Sequence, residues 1–410
     1  MSQREDVREI IKKSVKAVLP TAGVKDALRK MQFTAEKLYL VAAGKAAYSM
    51  AKAAEGFLGD RIKDGIVITK YGHTKTPLQH VRCFEAGHPK PDENSYEATQ
   101  KAIDMVYGLT DQDEVLFLLS GGASSLFEVP IIPEKDLQNI TDRLLASGAD
   151  IHEINTVRKH LSQVKGGRFA LACFPAKVHV IALSDVIGND FSTIGSGPCY
   201  PDESTGEMAF SILEKYHINL NADIIETLML ETPKTLTNAD HQVIGDVSTL
   251  AKAAKDACEE LGYKTVILTD SLDMEAREAG SFLASIARYY QGTKRSLAFI
   301  AAGETVVHLK GNGRGGRNQE LALSAAAGIS GLQDTCIFSF GSDGTDGPTD
   351  AAGGMVDGET AAKLKEAGFS IYASLENNDS YPALQAVQSL IVTGPTGTNV
   401  NDVAVLLIRR

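Results

Sequence analysis

The segment VLFLLSGGASS, residues 115–125, indicates the fold class. Its first five residues are all apolar, which is typical of a strand covered on both faces, as in a parallel sheet flanked by helices. The strand opens directly into glycines and serines, and the apolar stretch at 37–41 likewise opens into AAGK at 42–45. Segments with helical spacing separate the strands. The sequence therefore predicts an α/β fold with a mostly parallel, doubly wound sheet.

A change of character near residues 195–240 predicts a domain boundary. Turn-rich GSGP at 195–198 and the polar stretch 232–239 precede a new strand, helix and strand that begin at residue 242. We therefore predict a first α/β domain at 1–235 and a second at 236–410. The chain opens with an amphipathic helix that ends before Pro20, because a proline cannot continue it.

Composition excludes several classes of protein. The 410 residues carry a formal net charge of −11, so neither nucleic acid nor an anionic membrane surface is an expected partner. Five cysteines without a CxxC pair argue against a disulfide framework or a zinc site. The N-terminus has acidic residues and no apolar core, and no long apolar run occurs, so we expect a cytoplasmic protein without a signal peptide or membrane span.

The loops after three strands of the first half are candidate ligand sites, because ligands in open α/β sheets bind beyond the carboxyl ends of strands. Lys45 stands where a strand becomes a helix and points its charge where an anion would lie, although a solvated lysine fits equally well. Ser120, Gly121, Gly122 and Ser124 form a turn suited to phosphate or carboxylate, or simply a tight turn that caps a helix. Asp185 ends the next strand; it can hold a metal, orient a hydroxyl, or make an Asx turn.

The stretch NTVRKHLSQVKGGRF, residues 155–169, is unusually basic for an acidic chain. Arg158, His160 and Lys165 lie within it, and residues 154–168 include no acidic residue. An anion site and a solvated basic face are both consistent with this pattern.

GNGRGGRNQE, residues 311–320, is the sharpest signal in the sequence. It contains G-x-G-x-x-G between a strand and a helix, the arrangement of a dinucleotide site. However, the loop includes Arg314 and Arg317, whose forked donors suit phosphate or carboxylate oxygens. We therefore select Gly313, Gly316 and Asn318, with the two arginines, as candidate anion-binding residues; a flexible turn is the alternative.

SDGTDGPTD, residues 342–350, places carboxylates on a turn-rich loop. Hard oxygen ligands suit Mg²⁺, so Asp343 and Asp346 are candidate metal ligands, with solvated turn residues as the alternative.

Seven segments, in order across nearly the whole chain, resemble one known family. They are AAGKAA (42–47), LSGGASSL (119–126), INTVRKHLSQVKGGRFA (154–170), ALSDVIGNDFSTIGSGP (182–198), AAGETVVHLKGNGRGGRNQELAL (301–323), SDGTDGPTDAAGG (342–354) and GPTGTNVNDVAVLLI (394–408). Together they are similar to the glycerate 2-kinase family that carries the MOFRL domain.

The resemblance implies an N-terminal Rossmann-like domain, a C-terminal α/β domain of different topology, and an active site in the cleft between them. It implies Lys45, Asp185 and Arg317 as catalytic residues, and we add Glu304 from the matching segment to the residues expected to bind substrate or phosphate. It also implies transfer of the γ-phosphoryl group of ATP to D-glycerate, giving 2-phosphoglycerate and ADP, with Mg²⁺ or another divalent cation. A homodimer is an open expectation.

Two other functions remain open at this point. An NAD(P)-dependent hydroxypyruvate reductase would share the small hydroxy-acid substrate and use the glycine-rich loop. It would need an acidic residue at the end of the next strand, but Asp334 precedes its strand. The second is a non-catalytic module that binds a sugar acid or a nucleotide.

Overall fold

The structure is a computed structural model that describes residues 2–410, and its contacts group the chain into two compact units. The first unit is Pro20–Ile244; the second combines the N-terminal residues up to Leu19 with Gly245–Arg410. This grouping differs from the predicted division after residue 235 in two places, at the N-terminal helix and at the boundary between the units. Helix α1 (Gln3–Ala17) packs within the second unit, and the strand Ala239–Gly245 completes the sheet of the first.

The first unit is built on six parallel strands. Their spatial order is β3-β2-β1-β4-β5-β6, so the direction of the winding reverses between β1 and β4. This reversal is the topological switch point at which doubly wound folds bind ligands. The strands are β1 (Leu38–Ala43), β2 (Ile62–Lys70), β3 (Arg82–Ala86), β4 (Glu114–Ser120), β5 (Lys177–Leu183) and β6 (Ala239–Gly245).

Helices connect and cover these strands. Every residue of β1 and of β4 is buried, as the continuous apolar runs predict. The helices of this unit are α2 (Pro20–Lys30), α3 (Ala47–Leu58), α4 (Glu93–Val106), α5 (Ala123–Leu126), α6 (Glu134–Ala146), α7 (Ile151–His160), α8 (Arg168–Cys173), α9 (Gly206–Lys215) and α10 (Ala222–Leu228).

Three phenylalanines anchor the loop that follows β4. The ring centroids of Phe117, Phe127 and Phe169 lie 5.0–5.3 Å apart, and all three side chains are fully buried. Phe117 belongs to β4, Phe127 follows α5 and Phe169 belongs to α8. The loop at 120–125 is therefore fixed at both ends by one aromatic cluster.

The second unit has a mixed sheet. In the order β11-β10-β9-β12-β8-β7, only the pair β7–β8 is parallel. The strands are β7 (Lys264–Leu272), β8 (Leu297–Gly303), β9 (Thr335–Gly341), β10 (Gly353–Asp357), β11 (Leu390–Ile391) and β12 (Asp402–Ile408).

Helix α1 begins with a capping box, in which Ser2 and Glu5 bond to each other's backbone N–H groups, and ends before Pro20 as predicted. Its buried face packs on α11, which explains why the N-terminal helix groups with the second unit. The remaining helices here are α11 (Val247–Glu260), α12 (Ala276–Tyr289), α13 (Arg317–Gly328), α14 (Thr360–Glu366), α15 (Ile371–Glu376) and α16 (Ser380–Ala386).

The two α/β units confirm the predicted fold class. The prediction that the strand, helix and strand beginning at residue 242 belong together is wrong. The first strand is β6 of the first unit's sheet, whereas the helix and the second strand are α11 and β7 of the second unit. No helix within 2–410 combines the length and the apolar character that crossing a bilayer requires. All five cysteines are free thiols.

Two glycines in helix interiors provide a test of the packing of α12 on α13. A Cβ atom on Gly280 of α12 would lie 2.2 Å from the carbonyl oxygen of Leu321 in α13, whereas one on Gly56 of α3 would meet nothing within 4 Å. We expect Gly280→Ala to destabilise the protein by about 1–3 kcal/mol through overpacking. Gly56→Ala should be stabilising by up to about 1 kcal/mol, because alanine is the better helix former. Urea unfolding of both variants measures the difference, and equal effects would contradict this packing.

Candidate functional site

Ser120 joins the ends of β1 and β4 at the switch point. Its hydroxyl donates to the carbonyl of Ala43 (3.3 Å) and accepts from the backbone N–H of Ala46 (3.1 Å). The backbone N–H of Lys45 donates to the carbonyl of Gly121 at 2.8 Å. Gly44 has no room for a side chain, since a Cβ atom would lie 2.3 Å from Ser120. Ser120 is fully buried, so it shapes the turn and its hydroxyl is not directed at a ligand, contrary to the prediction.

Lys45 and His88 meet at Gly122. A Cβ atom on Gly122, where φ is +86°, would lie 3.0 Å from the His88 ring and 3.2 Å from Cγ of Lys45. Burial is the main cause that lowers the pKa of His88 to about 4, and the positive charges of Lys45 and Lys70 add to the shift. The imidazole is therefore neutral at pH 7. A glycine backbone between a lysine and a histidine, in a region of positive potential, suits a small anion.

His88 is a residue that sequence reasoning missed as part of this site. It follows β3 at Gly87-His88-Pro89, in a loop without the glycine-rich pattern of the others. The signal that could have found it is its position, because the carboxyl ends of parallel strands share one edge of a sheet. His73 joins the same edge, with Nδ1 3.0 Å from the carbonyl oxygen of Lys45.

Asp185 lies on the opposite side of β4 from Lys45. Leu119 of β4 pairs with Ala43 of β1 and with Ala182 of β5. Lys45 follows β1 and Asp185 follows β5, the two strands that flank β4. β1 and β5 are two strand spacings apart, which is roughly 10 Å. Asp185 is partly exposed. A lysine and an aspartate therefore lie on either side of the 120–125 turn.

The ammonium group of Lys165 is bonded to groups inside the protein. It is fully buried, and its Nζ donates to the carbonyls of Ser124 (2.8 Å) and Phe127 (3.1 Å) and lies 3.3 Å from the Glu128 carboxylate. Burial lowers the pKa of Lys165 to about 8, although Glu128 opposes the shift. The predicted direct contact with an anion would require this lysine to leave a buried carboxylate unpaired. We therefore correct its assignment to support of the 120–128 loop.

His160 is also turned inward. It is fully buried, with Nδ1 3.1 Å from the carbonyl oxygen of Leu230 and Nε2 3.4 Å from the Ser204 hydroxyl. Burial is the main cause of its lowered pKa, so it is held as a neutral ring and its predicted role in anion binding is corrected to packing.

Arg158 differs from these two residues. Its Nη2 donates to the carbonyl of Ser124 (2.7 Å) and to Glu128 (3.3 Å), while its buried Nε has no hydrogen-bond partner within residues 2–410. Ser124 accepts a hydrogen bond from the Ser196 hydroxyl at 3.2 Å and remains partly exposed. Of the predicted basic cluster, Arg158 alone retains a spare donor next to the loop.

In the second unit, Arg317 is held by two carboxylates. Its Nε and Nη2 donate to Asp402 (2.5 and 3.2 Å), and its Nη1 donates to Glu304 (2.6 Å). Burial favours a lower pKa for Arg317, but Asp402 and Glu304 outweigh it and the pKa is raised. Burial raises the pKa of Asp402 to about 6, against the effect of Arg317. The pair is therefore ionised at neutral pH.

Asp402 was missed because it lies 85 residues from Arg317 in the sequence. It begins β12, which runs antiparallel to its two neighbours, and it pairs with Gly303 at the end of β8 and Gly341 at the end of β9. Its position follows from the mixed topology of the sheet, which the sequence did not specify.

The structure assigns Asp346 to a helix cap. Both carboxylate oxygens accept backbone N–H groups at the start of α13, from Asn318 (3.1 Å) and Gln319 (2.9 Å), and the Gln319 amide donates as well. Asp343 accepts from the backbone and hydroxyl of Thr345, both at 2.9 Å. Within residues 2–410, no group of three or more His, Cys, Asp or Glu side chains is arranged to hold a metal. Asp346 therefore does not fit the predicted metal site, and Asp343 fits only as a single ligand.

The glycines of the 311–316 loop are explained by close backbone packing. A Cβ atom on Gly313 would lie 2.4 Å from Asp379, and one on Gly316 would lie 2.2 Å from Asp346. Arg314 lies 4.2 Å from the centroid of the Tyr381 ring and is about half exposed. The G-x-G-x-x-G pattern thus serves contacts within the unit and leaves Arg314 accessible. Asn318 is buried and accepts a hydrogen bond from the Ser339 hydroxyl, so it orients the start of α13.

Comparison with known proteins gives two family matches. Residues 6–229 match a family described as a domain of unknown function, DUF4147, and residues 297–402 match the MOFRL family.

Relatives match along nearly the whole chain. The D-glycerate 2-kinase of Thermotoga maritima is 52% identical over 406 residues, covering 98% of this chain and 97% of that one. A putative hydroxypyruvate reductase of Agrobacterium vitis is 38% identical over 100% of this chain and 95% of its own length. The crystal structure of the Thermotoga maritima glycerate kinase superimposes with a TM-score of 0.95 at 51% identity, over 99% of each chain.

The burial of Lys165 leads to a stability prediction. Lys165→Met leaves Glu128 in the interior without its lysine, and removing one partner of a buried ion pair costs about 3–5 kcal/mol. Lys135→Met, on the exposed face of α6, should change stability by less than about 0.5 kcal/mol. Urea denaturation of the two variants compares them. A Lys165→Met protein of normal stability would contradict the supporting role.

The pKa of His88 leads to a pH prediction. The folded protein holds this group at about 4, below its ordinary value of about 6.5. The unfolded chain therefore binds a proton that the folded protein does not, and His88 makes the protein less stable as the pH falls from 6.5 to 4. We expect the melting temperature of His88→Gln to fall less than that of the parent over this interval, whereas exposed His152→Gln should follow the parent. Parallel melting curves for His88→Gln and the parent would contradict the assignment.

Proposed function

Because this chain belongs to the glycerate 2-kinase family that carries the MOFRL domain, we propose that it transfers the γ-phosphoryl group of ATP to the 2-hydroxyl of D-glycerate. The products are 2-phosphoglycerate and ADP. The observation that carries this proposal is the 52% identity to a D-glycerate 2-kinase over 98% of the chain. The family resemblance drawn from the sequence is confirmed by this identity and by the MOFRL match.

We assign the carboxylate of glycerate to the turn at Gly122. Lys45 supplies a positive charge there, and the neutral His88 ring lies on the same glycine. A carboxylate beside an imidazole favours its protonated form, so substrate binding raises the pKa of His88 and gives the anion a second donor. Ser120 and Gly121 contribute by fixing the turn.

Asp185 is the residue that we assign to the attacking hydroxyl. As the oxygen–phosphorus bond forms, the hydroxyl proton passes to the Asp185 carboxylate, and the bond between the γ-phosphorus and the β,γ-bridging oxygen breaks. ADP leaves with the electron pair of that bond. A carboxylate that accepts the proton of the substrate hydroxyl is an established solution in phosphoryl transfer.

Arg317 is the residue that we assign to the phosphoryl oxygens. A guanidinium has five N–H donors, and three of them are used by Asp402 and Glu304. The two remaining donors are held in a fixed direction by the two carboxylates. Fixed donors stabilise the charge that develops in the transition state without a cost in reorganisation. We assign Arg314, half exposed on the loop before α13, to a further phosphate oxygen.

A divalent cation would enter this reaction with the nucleotide. It neutralises the phosphate oxygens when bound, and Mg²⁺ typically takes only one or two carboxylates from a protein and completes its shell with phosphates and water. Asp343 would be the ligand on this chain, because the oxygens of Asp346 are occupied by the start of α13.

A second candidate function is the reduction of hydroxypyruvate, which the name of the Agrobacterium vitis relative favours. The structure weighs against it, since the glycines of the 311–316 loop are needed for packing against neighbouring segments of the same unit.

The direct test is to incubate the protein with ATP, Mg²⁺ and D-glycerate and to record the phosphorus NMR spectrum. The proposal expects ADP together with the resonance of 2-phosphoglycerate. Oxidation of NADH or NADPH by hydroxypyruvate, followed at 340 nm without coupling enzymes, would support the reductase. ADP formation with the 3-phosphate as product would overturn the choice of hydroxyl but not the kinase activity.

Arg317→Lys tests the forked donor while keeping the positive charge. We expect kcat/KM to fall by about 10²–10³, the typical loss for one preorganised donor. Arg295→Lys, in the same unit and outside these loops, should leave kcat/KM unchanged. Melting temperatures exclude unfolding as the cause, and a normal kcat/KM for Arg317→Lys would refute the role.

A further inference from the structure

A cavity of about 720 Å³ lies in the second unit, between α1 and the edge strand β11. It contains none of the candidate catalytic residues. Its volume falls within the range of small-molecule sites, which runs from about 300 to 1,000 Å³.

The charge of this cavity is unusual for an acidic chain. Arg4, Arg8, Lys12 and Lys16 line it, and its lining includes no aspartate or glutamate. Successive members of this series are four residues apart, so they follow one face of α1 at intervals of about 6 Å. A second cavity of the same unit, about 660 Å³ in volume, is lined by four acidic residues and one lysine. A basic lining is therefore not a general property of this surface.

Three of these cations are available to a ligand. Arg4 donates to the carbonyl of Gln388 at 2.8 Å. The side chains of Arg8, Lys12 and Lys16 make no hydrogen bond or ion pair within residues 2–410, and all three are exposed. Lys13, the neighbour of Lys12, lies outside the cavity and pairs with Glu260 at 2.5 Å.

The rest of the lining is mainly apolar. Val7, Ile11 and Val15 form the α1 side, and Leu390, Ile391 and Val392 face them from β11 and the residue after it. Val392 is 63% exposed. The cavity thus combines an apolar interior with a row of unpaired cations along one side.

We propose that this cavity binds a small amphipathic organic anion. The anionic group lies against Arg8 and Lys12, and the apolar body lies between α1 and β11. Carboxylate, sulfonate and phosphate all satisfy the charge requirement, and a body the size of one or two aromatic rings suits the volume. The proposal is independent of the kinase activity, since it rests on different residues.

The probe for the test is 8-anilinonaphthalene-1-sulfonate, which joins an apolar body to one negative charge and fluoresces when it is removed from water. Fluorescence titration should show one saturable site. The double variant Arg8→Gln with Lys12→Gln should weaken binding about tenfold, as expected for two exposed charge contacts. The control, Lys13→Gln with Lys255→Gln, removes the same net charge from the same unit outside the cavity and should bind as the parent does.

Two further measurements separate the cavity from general apolar binding. N-phenyl-1-naphthylamine, which lacks the sulfonate, should bind the parent and the Arg8/Lys12 variant equally. Val392→Asp places a carboxylate on an exposed position of the wall and should abolish sulfonate binding without changing the melting temperature. Equal weakening by both double variants, or unchanged binding in the Arg8/Lys12 and Val392 variants, would overturn the proposal.

Discussion

The hydroxyl of Ser120 is the interaction on which the first unit's candidate site depends. It bonds to the backbone on both sides of the Gly44–Lys45 turn and so fixes two loops that enter the switch point from different strands. Backbone groups at the ends of parallel strands lack partners unless a neighbouring loop supplies them. Here the partners come from the adjacent strand's loop, so neither turn can move without the other. The positions of Lys45 and Gly122 follow from that constraint.

In the second unit, ion pairs rather than backbone hydrogen bonds fix the candidate ligand-binding residue. Arg317 at the start of α13 is fixed by Asp402 and Glu304, while Asp346 satisfies the first N–H groups of the same helix. An arginine at a helix N-terminus is opposed by the helix dipole. The two carboxylates compensate for this and leave part of the guanidinium for a ligand. Both units therefore place a preorganised cation at the edge of a sheet.

The sequence was informative where one residue type has one physical explanation. Apolar stretches predicted β1 and β4, and a further strand was predicted to end at Asp185. The loops after these strands contain Lys45 and Asp185 at the expected edge of the sheet. The pattern was misleading where a basic residue has two explanations. Lys165 and His160 look like a ligand site in the sequence, but Glu128 and Leu230, which hold them inside, are distant along the chain. His88 and Asp402 were not predicted because they belong to the site only through strand order. The short elements between 353 and 391 were also missed, since a strand that begins Gly353-Gly354 has little strand propensity.

The position of β12 in its sheet affects how the second unit folds during synthesis. This strand lies between β8 and β9, yet it follows all of the other strands of the sheet in the chain. During synthesis, β8 and β9 therefore emerge without the strand that separates them, and α1 emerges long before the α11 surface that it covers. Domains generally fold as units while the chain is being made. The first unit, contiguous in sequence, can fold early. In the second unit, β8 can pair with β7 and β9 with β10, but the edges of β8 and β9 that later contact β12 have no partner until residues 402–408 arrive. We therefore expect this unit, and not the Rossmann-like one, to be the part of the nascent chain that is most exposed to aggregation.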